Sequence, residues 1–139
     1  MNSMLICDWS ISDLPGLNKT EQASLVALGI TTTRQLLAVA PDALTKQKLA
    51  VSLGTKIQYV NKLVALSDLA QLAGIGCQYN GLLIHAGIIS LKQLAQMPAH
   101  KIHQQLLKLH VATLQRRDLC PDLAQVQNWI RQARELVEG

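Results

Sequence analysis

Two glycine turns, Gly16-Leu17 and Gly74-Ile75-Gly76, hold the residue types in this chain best suited to chemistry. That chemistry is anion binding rather than bond making. An apolar–Gly–apolar–Gly turn at the start of a helix lets the backbone approach a ligand closely. It points successive N–H groups outward, and with a helix dipole behind them such amides suit a phosphate. The apolar residue between the glycines, Ile75, is expected to tuck into the core and fix the turn. Basic partners follow: Lys92, Lys101, Lys108, Arg116 and Arg117 all fall within residues 69–117, a stretch with no Asp or Glu. Gly74, Ile75 and Gly76 would offer amides, the five cations would pair with phosphates, and Gly16 with Leu17 would form a weaker second hairpin. Contacts of this kind go to the nucleic-acid backbone and carry little sequence information. The first turn has Asn18 where the second has Gly76. Neither is followed at once by a basic pair: Lys19 alone follows one, Cys77 and Gln78 the other.

Other chemistries find less support. His100-x-x-His103 sets two imidazoles near one face of a helix, but no third ligand stands at motif spacing, so no metal is expected and the histidines read as exposed helix residues. No Ser lies in a G-x-S-x-G turn, and no G-x-x-x-x-G-K-[ST] loop is present. Cys7, Cys77 and Cys120 are odd in number and lack C-x-x-C spacing, which fits reduced thiols in a cytoplasm. The expectation is a non-enzyme with no cofactor and no small-molecule substrate. No run approaches 18 apolar residues, so no membrane span is expected. Met1 to Asp8 lacks the basic run of a signal peptide. The formal net charge of +4 is modest. It allows either a basic face for nucleic acid, DNA ahead of RNA, or a solvated face on a protein-interaction module.

The elements that must hold these turns are helices. Hydrophobic residues make up 49% of the chain, aromatics only 3%, and Phe is absent, whereas sheets favour aromatic and β-branched residues. Punctuation repeats at an offset of 58 residues. Leu14/Leu72, Gly16/Gly74, Leu25/Leu83, Gly29/Gly87, Ile30/Ile88, Gln35/Gln93 and Leu36/Leu94 are identical pairs. Thr32-x-x-Gln35 and Ser90-x-x-Gln93 are matching capping boxes. Gly29 and Gly87 stand where a helix should close. The pattern predicts helices near 20–28 and 77–86, 32–39 and 90–96, 42–53 and 99–109. Thr55-x-x-Gln58 is expected to cap a long helix to about Leu72, and a last helix starts around Pro121-Asp122. Tyr59-Val60 and Trp129-Ile130 read as one aromatic anchor per repeat, with an insertion near 111–120. Trp9 is expected to pack the N-terminal arm onto the body.

Gly74-Ile75-Gly76 resembles the hairpin of the helix-hairpin-helix motif. The chain from about Trp9 to Val137 also resembles a family catalogued as domain of unknown function 4332, which looks like tandem helix-hairpin-helix proteins found mainly in cyanobacteria. The resemblance rests on Leu72-Ala73-Gly74-Ile75-Gly76, on Leu82-Leu83-x-x-Ala86-Gly87-Ile88, on Leu94-Ala95 and on Trp129-Ile130-x-x-Ala133. It implies an all-α fold of two pseudo-repeated helix-hairpin-helix (SAM-like) units in one compact domain and a cytoplasmic setting, and it brings no assigned activity. Gln22 and Asn80 stand where that family would be expected to carry a small residue. The expected organisation is an arm over residues 1–10, a first repeat over 11–68 and a second over 69–139. Its function is non-catalytic binding of nucleic-acid backbone; the alternative is a protein-interaction or assembly module whose hairpins serve only as turns.

Overall fold

A computed structural model describes residues 6–109 and 120–138. Among these the chain is all α: eight helices, with one isolated backbone bridge between Ser10 and Thr32. The helices are α1 (Lys19–Ala27), α2 (Thr33–Val39), α3 (Ala43–Leu53), α4 (Ile57–Leu69), α5 (Gly76–His85), α6 (Leu91–Gln96), α7 (Ala99–Leu109) and α8 (Leu123–Glu138). A 3-10 turn over Ile11–Asp13 precedes α1.

Short polar side chains start most of them. The Asn18 side chain accepts the Glu21 N–H at 2.8 Å, and Glu21 accepts the Asn18 N–H at 3.0 Å, a complete capping box. Thr32 caps α2 in the same way through Gln35. Ser90 accepts the Gln93 N–H at 3.0 Å, but the Gln93 side chain reaches one residue further back, to the Ile89 N–H at 2.9 Å. Gly29 and Gly87 close α1 and α5 with φ of +83° and +91°. The long helix differs from expectation at both ends. The Thr55 N–H donates to the Ala50 carbonyl, closing α3 behind the left-handed Gly54, so Thr55 ends one helix instead of capping the next. α4 therefore begins at Ile57 after Lys56, which makes no side-chain cap bond. It stops at Leu69, and the arm binds the two carbonyls that follow its end. Trp9 Nε1 donates to Ala70 O at 2.7 Å and the Cys7 N–H to Gln71 O at 2.9 Å.

The core has two clusters that use positions 58 residues apart. Leu14 and Leu72, Leu25 and Leu83, Ile30 and Ile88, and Leu36 and Leu94 are all buried. The first cluster adds Val60, Leu63 and Leu66 of α4, and the second begins with Leu69 of the same helix. Ile84 packs against both. α2 and α3 lie on α4, α6 and α7 lie on α8, and α4 meets α5. From α8, Val126, Trp129, Ile130 and Ala133 are buried at helical spacing. Each such large apolar side chain stabilises the fold by about 1.5–3 kcal/mol relative to exposure.

One buried polar residue couples two helices. Asn80, fully buried on α5, donates its side-chain amide to the Leu66 carbonyl of α4 at 3.1 Å, which accounts for an amide at this packed position. The aligned Gln22 donates instead to the Leu17 carbonyl at 3.2 Å.

Candidate nucleic-acid interface

The second hairpin is built around two tryptophans. Ile75 is buried in the second core cluster, as its place between glycines implies. Ile75 and Gly76 both donate their N–H groups to the Leu72 carbonyl, at 3.1 and 2.8 Å. Neither therefore offers the outward amide expected from the sequence, because the tight turn consumes both. The next amides along α5, those of Cys77 and Gln78, have no protein acceptor among the described residues. Gly74 turns its carbonyl to Trp129 Nε1 at 3.1 Å, and a Cβ on Gly74 would lie 3.2 Å from that nitrogen. Gly76 has φ of +50°, is buried, and would set a Cβ 3.0 Å from Trp9. Tyr79 flanks Trp129 with ring centroids 5.2 Å apart. The glycines thus make room for indole rings, and a Cβ would fill that space.

The first hairpin has a different backbone. Gly16 carries the positive φ, +79°, whereas the aligned Gly74 does not; Gly76 carries it in the second hairpin, where the first has the extended cap Asn18. Leu17 packs against the first core cluster. The start of α1 already holds an anion. The neighbouring Tyr59 hydroxyl and the Asn18 N–H keep the Glu21 carboxyl below its ordinary pKa, so it is charged where a phosphate would dock. The Tyr59 hydroxyl is buried without a hydrogen bond of good geometry, and burial, then Glu21, pushes its pKa above the usual phenol range. At α5 burial, and secondly the nearby Asp13, pushes the Cys77 thiol up to about 11, so it is no thiolate nucleophile. Burial also raises Cys120.

The cations sort into three sets. Arg116 and Arg117 lie outside the described residues. Lys101 and Lys108 stand exposed on α7, whose buried side carries Ile102 and Leu106. Lys92, exposed on α6, lines a groove of about 860 Å³ together with Lys46 of α3 and Lys62 of α4. Lys62 also reaches the first hairpin: its Nζ lies 3.8 Å from the position of a Cβ on Gly16. Lys46 and Lys62 carry no sequence signal of a site, since neither adjoins a glycine turn along the chain. Only the packing of α3 and α4 beside α6 brings them together with Lys92.

Among the described lining residues one carboxylate lies with them, Asp68. Its Oδ2 accepts the Leu91 N–H at the start of α6 at 2.7 Å, and its Oδ1 accepts from Gln71 at 3.1 Å. Burial raises its pKa, and the bonds to Leu91 and Gln71 and the charge of Lys46 offset this. Asp8 does the same for α2, accepting the Arg34 N–H at 3.0 Å. Leu91 aligns with Thr33, one position before Arg34, so the two aspartates sit at the starts of α2 and α6 without occupying equivalent positions.

Among the described residues no group of three His, Cys, Asp or Glu could hold a metal ion. His100 and His103 lie on α7, one exposed and one half-buried. No described helix is long and apolar enough to cross a membrane. A family model described as a domain of unknown function (DUF4332) matches residues 15–136. No curated protein and no solved structure matches the chain.

Proposed function

The chain belongs to the DUF4332 family, and we propose that it is a non-catalytic tandem helix-hairpin-helix module that binds nucleic-acid backbone without sequence specificity. The observation that carries this reading is the convergence of Lys46, Lys62 and Lys92 on one groove where the single carboxylate among the described lining residues, Asp68, is engaged by Leu91 and Gln71. Lysines of this kind neutralise phosphates as point charges and read no base. The contact face in this reading is the groove, continued by Lys62 to the first hairpin at Gly16. The second hairpin contributes the amides of Gly74, Cys77 and Gln78, which have no protein acceptor among the described residues. DNA is the expected polymer ahead of RNA. A reducing cytoplasm fits the three free cysteines.

The test is the salt dependence of binding to a labelled random-sequence duplex and a single strand. Affinity should fall steeply with salt, and removing three phosphate contacts by Lys46→Gln, Lys62→Gln and Lys92→Gln should flatten the log–log slope by about 2–3. An unchanged slope would exclude the groove lysines.

A second reading has its own observation. Trp9 and Trp129 fill the space over Gly76 and Gly74, and Glu21 and Asp13 bring negative charge to the two hairpins. This supports hairpins that serve as turns in a protein-interaction or assembly module. Binding of neither polymer at low salt would select it.

A further inference from the structure

The groove pairs its cations with an aliphatic floor that a phosphate has no use for. Ile84 and Leu91 form part of its wall, and at its edges Ile89 and Val137 are 59% and 43% exposed. Large apolar side chains left in water beside three lysines call for an occupant that is anionic at one edge and apolar over the other.

We propose that this groove takes a short stretch of single-stranded nucleic acid, its phosphates on Lys46, Lys62 and Lys92 and its bases laid against Ile84, Ile89 and Val137. The inference rests on the nucleic-acid reading above and names the form of polymer. A duplex keeps its bases stacked inside and presents phosphates and groove edges, so it would leave the apolar floor without a partner. A single strand exposes both chemistries side by side, which is the arrangement the groove complements. Among the described residues the floor holds no aromatic ring. Bases therefore lie on it by apolar contact, with no ring-on-ring stacking and little preference among base types. Asn61, exposed at the wall, supplies a hydrogen-bonding side chain.

The experiment is fluorescence anisotropy at low salt with a labelled oligothymidine of about 15 nucleotides and a duplex of equal length. It uses the full chain and two variants, Lys62→Gln/Lys92→Gln and Ile89→Ser/Val137→Ser. All four substituted residues are exposed, and thermal melting checks that each variant folds. The expected result is single-strand binding about tenfold tighter than duplex binding. The apolar pair should weaken the single strand several-fold and leave the duplex unchanged, and the lysine pair should weaken both. A duplex bound as tightly as the single strand, or an apolar variant with no effect, overturns the single-strand inference and leaves the backbone-binding reading standing. Failure of both polymers to bind overturns that reading and this inference with it.

Discussion

The indole N–H of Trp129 donates to the carbonyl of Gly74 at 3.1 Å, across 55 residues of chain, and its ring occupies the space a Cβ on Gly74 would need. Trp9 fills the corresponding space over Gly76, its ring 3.0 Å from a Cβ there, while its indole N–H donates to the Ala70 carbonyl. The second hairpin is therefore held between two indoles contributed by the arm and by α8. Its glycines are required by packing whatever the hairpin binds.

This packing sets an order among glycine substitutions. Gly76 and Gly87 both have positive φ, so Ala at either costs about 1–2 kcal/mol in backbone strain. A Cβ on Gly87 meets nothing within 4 Å, whereas one on Gly76 meets the Trp9 ring. Gly76→Ala should therefore destabilise the fold more than Gly87→Ala in urea denaturation, and it alone should shift the tryptophan emission. Equal losses would remove Trp9 from the account.

Much of the helical framework was legible in the sequence, because it rests on local periodicity and caps. Leu25 with Leu83 and Ile30 with Ile88 announce two buried helix–turn units, and Thr32 and Ser90 announce the starts of α2 and α6. Thr55 misleads because closing α3 and opening α4 use the same residue types, and here its N–H is spent on Ala50. The site was less legible for a different reason. The amides of Ile75 and Gly76 are consumed by Leu72, and the space over the glycines is filled by Trp9 and Trp129 from distant parts of the chain. Lys62 stands 46 residues from Gly16 in sequence and beside it in space. Periodicity carries none of that.

Asn80 and Gln22 are aligned but differ in burial, and their replacement should differ accordingly. Asn80→Ala removes a bond from a fully buried amide to Leu66 O and exposes a small void. The Leu66 carbonyl keeps the Ala70 N–H, which limits the loss to about 1–2 kcal/mol. Gln22 is half-buried, and Gln22→Ala should cost about 0.5 kcal/mol or less. Chemical denaturation of both variants checks the contrast, and equal effects would mean that Asn80 does not join α5 to α4.

Asp68 sets a pH dependence of defined sign. Burial raises its folded pKa above the ordinary value of 3.8, so between the two values the folded state holds a proton that the unfolded state has lost. Its contribution is fully present below 3.8 and is lost as pH rises through the raised folded value. Asp68→Asn keeps an acceptor for the Leu91 N–H and does not titrate. Relative to that variant, the wild type should therefore lose stability as pH climbs from 3.8 toward neutrality, read from melting temperatures in a pH series. Glu21 and Asp42, both lowered, act oppositely and are common to the two proteins. A wild type that gains on the variant with rising pH would mean that the bonds to Leu91 and Gln71 outweigh burial.

Glu21 offers the sharpest separation of the groove from the first hairpin. Its carboxylate sits at the start of α1 and within electrostatic reach of Lys62, which in turn lies beside Gly16. Glu21→Gln keeps an acceptor for the Asn18 N–H, so the capping box and the fold should survive. It removes one negative charge from the hairpin. If phosphate reaches Gly16 through Lys62, affinity for a single strand should rise about two- to fivefold at low salt, and the gain should vanish as the Debye length shrinks to about 3 Å at 1 M salt. If binding is confined to the Lys46 and Lys92 side of the groove, screening leaves Glu21 little influence and the affinity stays where it was. Titrations of the variant at two salt concentrations distinguish these outcomes.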